Sequence, residues 1–244
     1  MALYAIGDFH LSFQTDKSMD KFGKVWRNHE EKIKKNCGKL CPEDTLVITG
    51  DHSWGRNLDE CTEDLAFIEG LPGRKILLRG NHDMFWDAKK TAKLNREFEG
   101  RLSFLQNNYY VYEDYALVGT KGYTFEGPFY LDSRGRITGW DEDAEAHAQK
   151  LIEREIARLQ KSFDAAIKDG YQKFIMFLHY PPTSVIEQDS PFTRLAEQYH
   201  VEHVIYSHCH GESRFNDSIR GEYHGITYHL VSGDFLNFCP ERIL

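Results

Sequence analysis

Five short stretches of this chain end in side chains that bind cations or move protons: Asp8 with His10, Asp51, Asn81 with His82 and Asp83, His179, and His208 with His210. Each alone is weak. A pair such as Gly50-Asp51 is ordinary turn chemistry, Gly80-Asn81 reads equally well as a turn, and a single histidine after an apolar run is more often structural. Together they say more. In extended chain, residues i and i+2 point the same way, so Asp8 and His10 share one side, as do His208 and His210. Phe9 and Cys209 then face away, which makes Cys209 a poor ligand despite its two histidine neighbours. Asp8, His10, Asp51, Asn81, His179, His208 and His210 offer only nitrogen and oxygen donors, too many for one tetrahedral ion. With one carboxylate bridging, they suit two divalent ions about 3.5–4 Å apart, the spacing of a two-metal hydrolytic site.

The elements that must position these residues read as an α/β fold, with short apolar runs alternating with helical patterns. Strands are expected at Leu3 to Ile6, Thr45 to Thr49, Lys75 to Leu78, Phe174 to Leu178, Val204 to Tyr206 and Ile226 to Ser232. Five of these six runs deliver polar residues at the C-terminal strand end, where open α/β sheets place their sites. A helix is expected from about Asp16 to Lys35, with Phe22, Val25, Trp26 and Ile33 on one face. Asn57 reads as the cap of a second helix, with Glu60 three residues on and Gly70 and Pro72 closing it. Tyr109 to Tyr112 and Tyr115 to Gly119 read as a hairpin whose tyrosines pack across strands; nucleic-acid stacking is the lesser reading. Lys121 to Trp140 has no period and is expected to be an ordered loop, its cover of the site left open. Asp141 caps a long amphipathic helix in which Ile152, Ile156, Leu159, Phe163 and Ile167 line one face. A short helix is expected from Phe192 to Tyr199. No linker or repeat interrupts residues 1–244, so one domain is expected.

Composition narrows the function classes. The chain has 244 residues, 41% hydrophobic and 14% aromatic, which excludes a disordered chain. Thirty Lys and Arg against 38 Asp and Glu give a net charge of −8. An acidic surface argues against broad contact with a phosphate backbone, though not against a local basic groove. No apolar run approaches the ~18 residues that span a bilayer, so no membrane contact is expected. The opening residues run into Gly7-Asp8 without a signal-peptide pattern, and the five cysteines form no C-x-x-C pair. A cytoplasmic location is the expectation.

Asp8-x-His10, Gly50-Asp51, Gly80-Asn81-His82-Asp83, His179 and His208-x-His210, in this order, resemble the calcineurin-like metallophosphoesterase superfamily. The chain with Gly50-Asp51-His52-Ser53-Trp54 further looks like a small bacterial group of predicted phosphohydrolases. The resemblance implies a four-layer α/β/β/α sandwich of two mixed sheets flanked by helices. It implies that Asp8, His10, Asp51 and His210 hold one metal and that Asp51, Asn81, His179 and His208 hold the other. Asp51 would bridge them together with a hydroxide, the nucleophile. His82 corresponds to the family's histidine beside the leaving group, a general acid, and Asp83 would orient it. The donor set suits Mn, Fe, Zn or Ni.

Departures narrow the branch. The first motif lacks the Gly after His found in the Ser/Thr protein phosphatases. Position 55 is Gly where they have Arg, and Asp83 stands where they have Glu. A dedicated protein phosphatase is therefore disfavoured. Arg56, one step late, could meet a phosphate, but a surface Arg at a helix start is the equal or better reading. The leading function is hydrolysis of a small phosphomonoester or phosphodiester. A nuclease, a hydrolase of a non-phosphate ester or amide, and a non-catalytic metal-binding scaffold are the alternatives.

Overall fold

The computed structural model describes residues 1–124, 129–131, 137–184 and 188–244. Along the chain run the strands β1 (Leu3–Ile6), β2 (Thr45–Ile48), β3 (Arg74–Leu78), β4 (Ser103–Leu105), β5 (Tyr109–Tyr112), β6 (Tyr115–Thr120), β7 (Phe129–Leu131), β8 (Ile137–Trp140), β9 (Lys173–Leu178), β10 (His203–Tyr206), β11 (Gly221–Tyr223), β12 (Ile226–Leu230) and β13 (Glu241–Arg242). The α-helices are α1 (His29–Cys37), α2 (Thr62–Glu69), α3 (Thr91–Glu97), α4 (Glu142–Lys168) and α5 (Pro191–Gln198).

The strands form two mixed sheets and a hairpin. One sheet has the order β13-β1-β2-β3-β4 and the other β11-β12-β10-β9-β6-β5, while β7 pairs with β8 alone. The inner strands of both sheets are parallel, whereas β13, β11 and β5 add antiparallel edges. Strand alternation then divides each apolar run between two layers. Leu3, Ala5, Val47, Ile76 and Leu78 meet Leu117, Ile175, Phe177, Ile205 and Val231 between the sheets. Ile6, Leu46, Ile48 and Leu77 face the other way, onto Ile33 and Cys37 of α1, Leu65 and Ile68 of α2 and Leu94 of α3. Phe174, Met176 and Leu178 do the same toward Ile152, Leu159 and Phe163 of α4 and Leu195 of α5. The result is helices, sheet, sheet, helices, the mixed α/β layering that the motifs imply.

Local signals are met by local structure. Asp141 caps α4 by accepting from the Ala144 amide at 3.0 Å. Asn57 accepts from the Glu60 amide at 3.0 Å at a short 3-10 turn that runs into α2, and Gly70 ends that helix. Tyr109–Tyr112 and Tyr115–Thr120 pair antiparallel as a hairpin.

Three expectations need correction. The helix over 16–35 is instead two 3-10 turns, Asp20–Phe22 and Lys24–Trp26, followed by α1. Gly23 at φ +123° and Asn28 at +49° break it, and Phe22 is left exposed. Ile167, near the end of α4, is also exposed rather than on its buried face. Within Lys121 to Trp140 the described residues include the β7–β8 hairpin, not loop alone; residues 125–128 and 132–136 lie outside the described residues, so cover of the site is not described.

Candidate metal centre

The first motif loop is tied by its backbone to the second and to the end of β12, at the C-terminal ends of the parallel strands. The Asp8 amide donates to Gly50 O (2.9 Å), the His10 amide to Asp51 O (2.8 Å), and the Gly7 amide to Val231 O (2.7 Å). Asp8, His10, Asp51 and His208 all lie at positive φ, between +45° and +72°. Left-handed backbone at non-glycine residues costs about 1–3 kcal/mol each and concentrates where function requires it. Extended chain is therefore not what puts Asp8 with His10 and His208 with His210 on one side, since three of those four residues are left-handed. The outcome stands: Phe9 and Cys209 are buried in the outer cores while the flanking pairs face one centre. Glycines make room for this. A Cβ on Gly50 (φ +104°) would stand 2.6 Å from His179 Nδ1, and one on Gly80 would collide with the Asp51 carboxylate.

The donor atoms gather in two groups. Those of Asp8, His10 and His210 lie within 4.8 Å of one another, as do those of Asp51, His179 and His208. Asn81 joins the second, its Oδ1 2.6 Å from His179 Nε2. Asp51 Oδ2 stands between the groups, 3.6 Å from His10 Nε2 and 3.4 Å from His179 Nε2. Each carboxylate has one oxygen fixed and one bare. Asp8 Oδ2 accepts from the His208 amide (3.0 Å) and Asp51 Oδ1 from the His82 amide (2.8 Å). Asp8 Oδ1 and Asp51 Oδ2 are buried with no hydrogen-bond partner among the described residues.

Tautomers follow from the outer bonds. His179 Nδ1 donates to Thr49 O (2.9 Å), which leaves its Nε2 lone pair facing the centre. His210 Nδ1 donates to Asp234 Oδ1 (3.0 Å), and its Nε2 lies 3.4 Å from His10 Nε2. Burial dominates the electrostatics. It pushes the Asp8 carboxyl up to about 6, and together with Asp83 and Asp8 it drives Asp51 well above the ordinary range. Burial and the neighbouring imidazoles push His10 and His179 down, and His208 to about 3. His210 is the exception: burial lowers it, but Asp8 and the Asp234 bond outweigh burial and hold it at about 9.

Over residues 1–212 the chain matches the sequence pattern of calcineurin-like phosphoesterases. The chain belongs to that family. Metal-dependent phosphoester hydrolysis is the activity the family carries, and the two Asp/His groups are candidate metal-ligand clusters. The chain is also similar to solved structures. Phosphopantetheinyl hydrolase from Mycobacterium tuberculosis is 13% identical, with a TM-score of 0.61 over 100% of this chain and 95% of that one. A protein of unknown function from Aquifex aeolicus is 17% identical, with a TM-score of 0.49 over 99% and 95%. At 13% identity, the likeness to the hydrolase is one of fold alone. No curated protein matches the chain.

The residues fit divalent cations. Two bare buried carboxylate oxygens and several imidazole nitrogens converge on one place, and a cation is what would reverse the raised carboxyl pKa values. Asp83 behaves differently from its expected role. Its carboxylate accepts from the amides of Gly80 (2.7 Å), Asp51 (2.9 Å) and His52 (2.8 Å) and from His52 Nδ1 (2.9 Å). No hydrogen bond of Asp83 reaches the His82 ring among the described residues; it braces the Asp51 loop and acts on His82 only through its charge. His82 is half-buried, its ring 4.3 Å from that of Trp54, which stacks on His10 at 4.9 Å. Beside it opens a groove of about 700 Å³ lined by Lys17, Trp54, Arg56, Glu60, His82 and Met84 among others. Arg56 lies on this groove but is exposed, its guanidinium 3.3 Å from Glu60.

Asp234 escaped the sequence reading. It follows Gly233 just after β12, the same strand-then-Gly-Asp signature as Gly7-Asp8 and Gly50-Asp51, and that repetition was the available signal.

Proposed function

We propose that the chain is a two-metal phosphoesterase that hydrolyses a small phosphorylated substrate, with His82 protonating the leaving group. The observation that carries this reading is Asp51 Oδ2, a buried carboxylate oxygen without a hydrogen bond, flanked by one imidazole nitrogen from each donor group.

Asp8, His10, His210 and Asp51 would hold one ion, and Asp51, Asn81, His179 and His208 the other. Divalent ions bound there would supply a water of lowered pKa and neutralise charge on phosphoryl oxygens. The protein fixes the frame for this. Thr49 O and Asp234 set the tautomers of His179 and His210, and Asp83 holds the Asp51 loop rigid. His82 stands on Trp54 at the groove, where a leaving oxygen would meet it. Burial lowers its pKa against the pull of Asp83, which makes its protonated form a stronger acid. A general acid contributes typically about 10²–10⁴-fold. The groove of about 700 Å³ suits a small-molecule substrate.

The test is turnover of nitrophenyl phosphate and bis(nitrophenyl) phosphate by Mn²⁺-loaded protein, with metal content measured alongside. Cleavage of either, lost together with metal in Asp51→Asn, is the expected result. Protein that carries two ions yet cleaves neither would sink the phosphoesterase reading for these ester classes and favour the scaffold.

A further inference from the structure

The two donor groups have different neighbours. His10, of the first, packs against Trp54 and, through it, His82 and the groove. His208, of the second, packs against Tyr180, with ring centroids 4.3 Å apart. Lys121 is built into that side. Its carbonyl accepts from the amides of His179 (3.2 Å) and Tyr180 (2.9 Å), and its ammonium lies over the rings of Tyr180 (5.3 Å) and Tyr123 (5.9 Å). Arg79 follows β3 immediately before Gly80-Asn81, and its Nε is buried with no hydrogen-bond partner among the described residues.

Among the described residues, no close carboxylate balances these cations. The buried Glu155 of α4 is spent on Thr120 Oγ1 (2.6 Å), Arg158 (2.5 Å) and Arg154 (3.5 Å). Among the described residues, neither Lys121 nor Arg79 has a carboxylate within ion-pair distance. Leu78, the residue before Arg79, packs against Gly119, two residues before Lys121, so the ends of β3 and β6 face each other between the sheets. Unpaired like charges gathered at a partly buried place are unfavourable unless an anion joins them, and in a chain of net charge −8 their concentration beside the centre is specific. The Tyr180 ring lies beside both His208 and the Lys121 ammonium, so Lys121 is offered to a group other than the phosphoryl held at the donor atoms.

We propose that Arg79 and Lys121 form an anion subsite beside the Asp51, Asn81, His179 and His208 group, and that the natural substrate is a phosphoester carrying a second oxyanion, phosphate or carboxylate. This rests on the two-metal reading above. Arg79 supplies a planar fork and Lys121 a point charge, a combination suited to oxyanions. The reacting phosphoryl sits at the donor groups while the second anion selects which molecules bind.

Calorimetric binding of two non-hydrolysable probes to Mn²⁺-loaded protein tests it: methylphosphonate, with one anionic group, and phosphonoacetate, with two. Phosphonoacetate is expected to bind at least about tenfold more tightly to the unaltered protein. That advantage should fall below about twofold in Lys121→Met, which keeps the apolar stem over the tyrosines, and in Arg79→Gln. An advantage that is absent from the unaltered protein, or that survives in Lys121→Met, overturns the subsite. Should Arg79→Gln not fold, Lys121→Met decides alone. Methylphosphonate binding, and its loss in Asp51→Asn, reports on the two-metal reading separately.

Discussion

Asp234 accepts the Nδ1 proton of His210 at 3.0 Å with one oxygen and the Gly211 amide at 2.8 Å with the other. The carboxylate thus fixes both the ring and the backbone beside it, and turns His210 Nε2 toward Asp8 and His10. Such outer bonds typically carry about 10–100-fold in metal affinity. Asp234→Asn is expected to weaken binding of one of two Mn²⁺ ions by about that factor and leave the other in place. Calorimetric metal titration checks this, and two unchanged binding steps would remove Asp234 from the design.

His82 contributes its backbone amide to Asp51 and its ring to the groove. His82→Ala keeps the amide, so both ions should remain while kcat falls about 10²–10⁴-fold and KM changes little. Metal content and steady-state kinetics on the same sample decide it. Unchanged kcat would show that another group, or water, protonates the leaving oxygen.

Asp83 is fully buried and accepts from three amides and the His52 ring. Burial opposes its charge, but His52 and these bonds hold its carboxyl below the ordinary range. Asp83→Ala leaves those donors buried without a partner, a loss of the order of 3–5 kcal/mol. For a chain of this size that is a fall in Tm of roughly 10 °C, measurable by calorimetry. A drop of only a degree or two would show that water replaces the carboxylate.

Cysteine reactivity separates the core from the site. Cys41 and Cys239 are exposed, whereas Cys37, Cys61 and Cys209 are buried. Burial pushes the Cys37 and Cys61 thiols up to about 12 and raises Cys209 too, so all three are protonated and shielded in mildly alkaline buffer. Ellman's reagent should find the two exposed thiols fast in native protein and all five in guanidinium. Fast reaction at Cys209 would mean that the His208–His210 loop opens in solution.

Neighbours along the chain were enough for the βα alternation, the caps at Asp141 and Asn57, the Tyr109–Thr120 hairpin, and the motif residues at strand ends. These rest on short-range periodicity and on side chains that bond their own backbone, so the pattern is complete within about a dozen residues. The contacts that draw distant donors together exist only in the folded chain. Asp8 meets the His208 amide across 200 residues, and Asp51 Oδ2 is placed between His10 and His179. Folding likewise assigned Asp83 to the Asp51 loop and Asp234 to His210, and set the ends of β3 and β6, beside Arg79 and Lys121, facing each other. Such partners are chosen by how two sheets stack and how left-handed loops turn their side chains. Burial then sets the charge each group prefers, a quantity that exists only once the chain has folded around it.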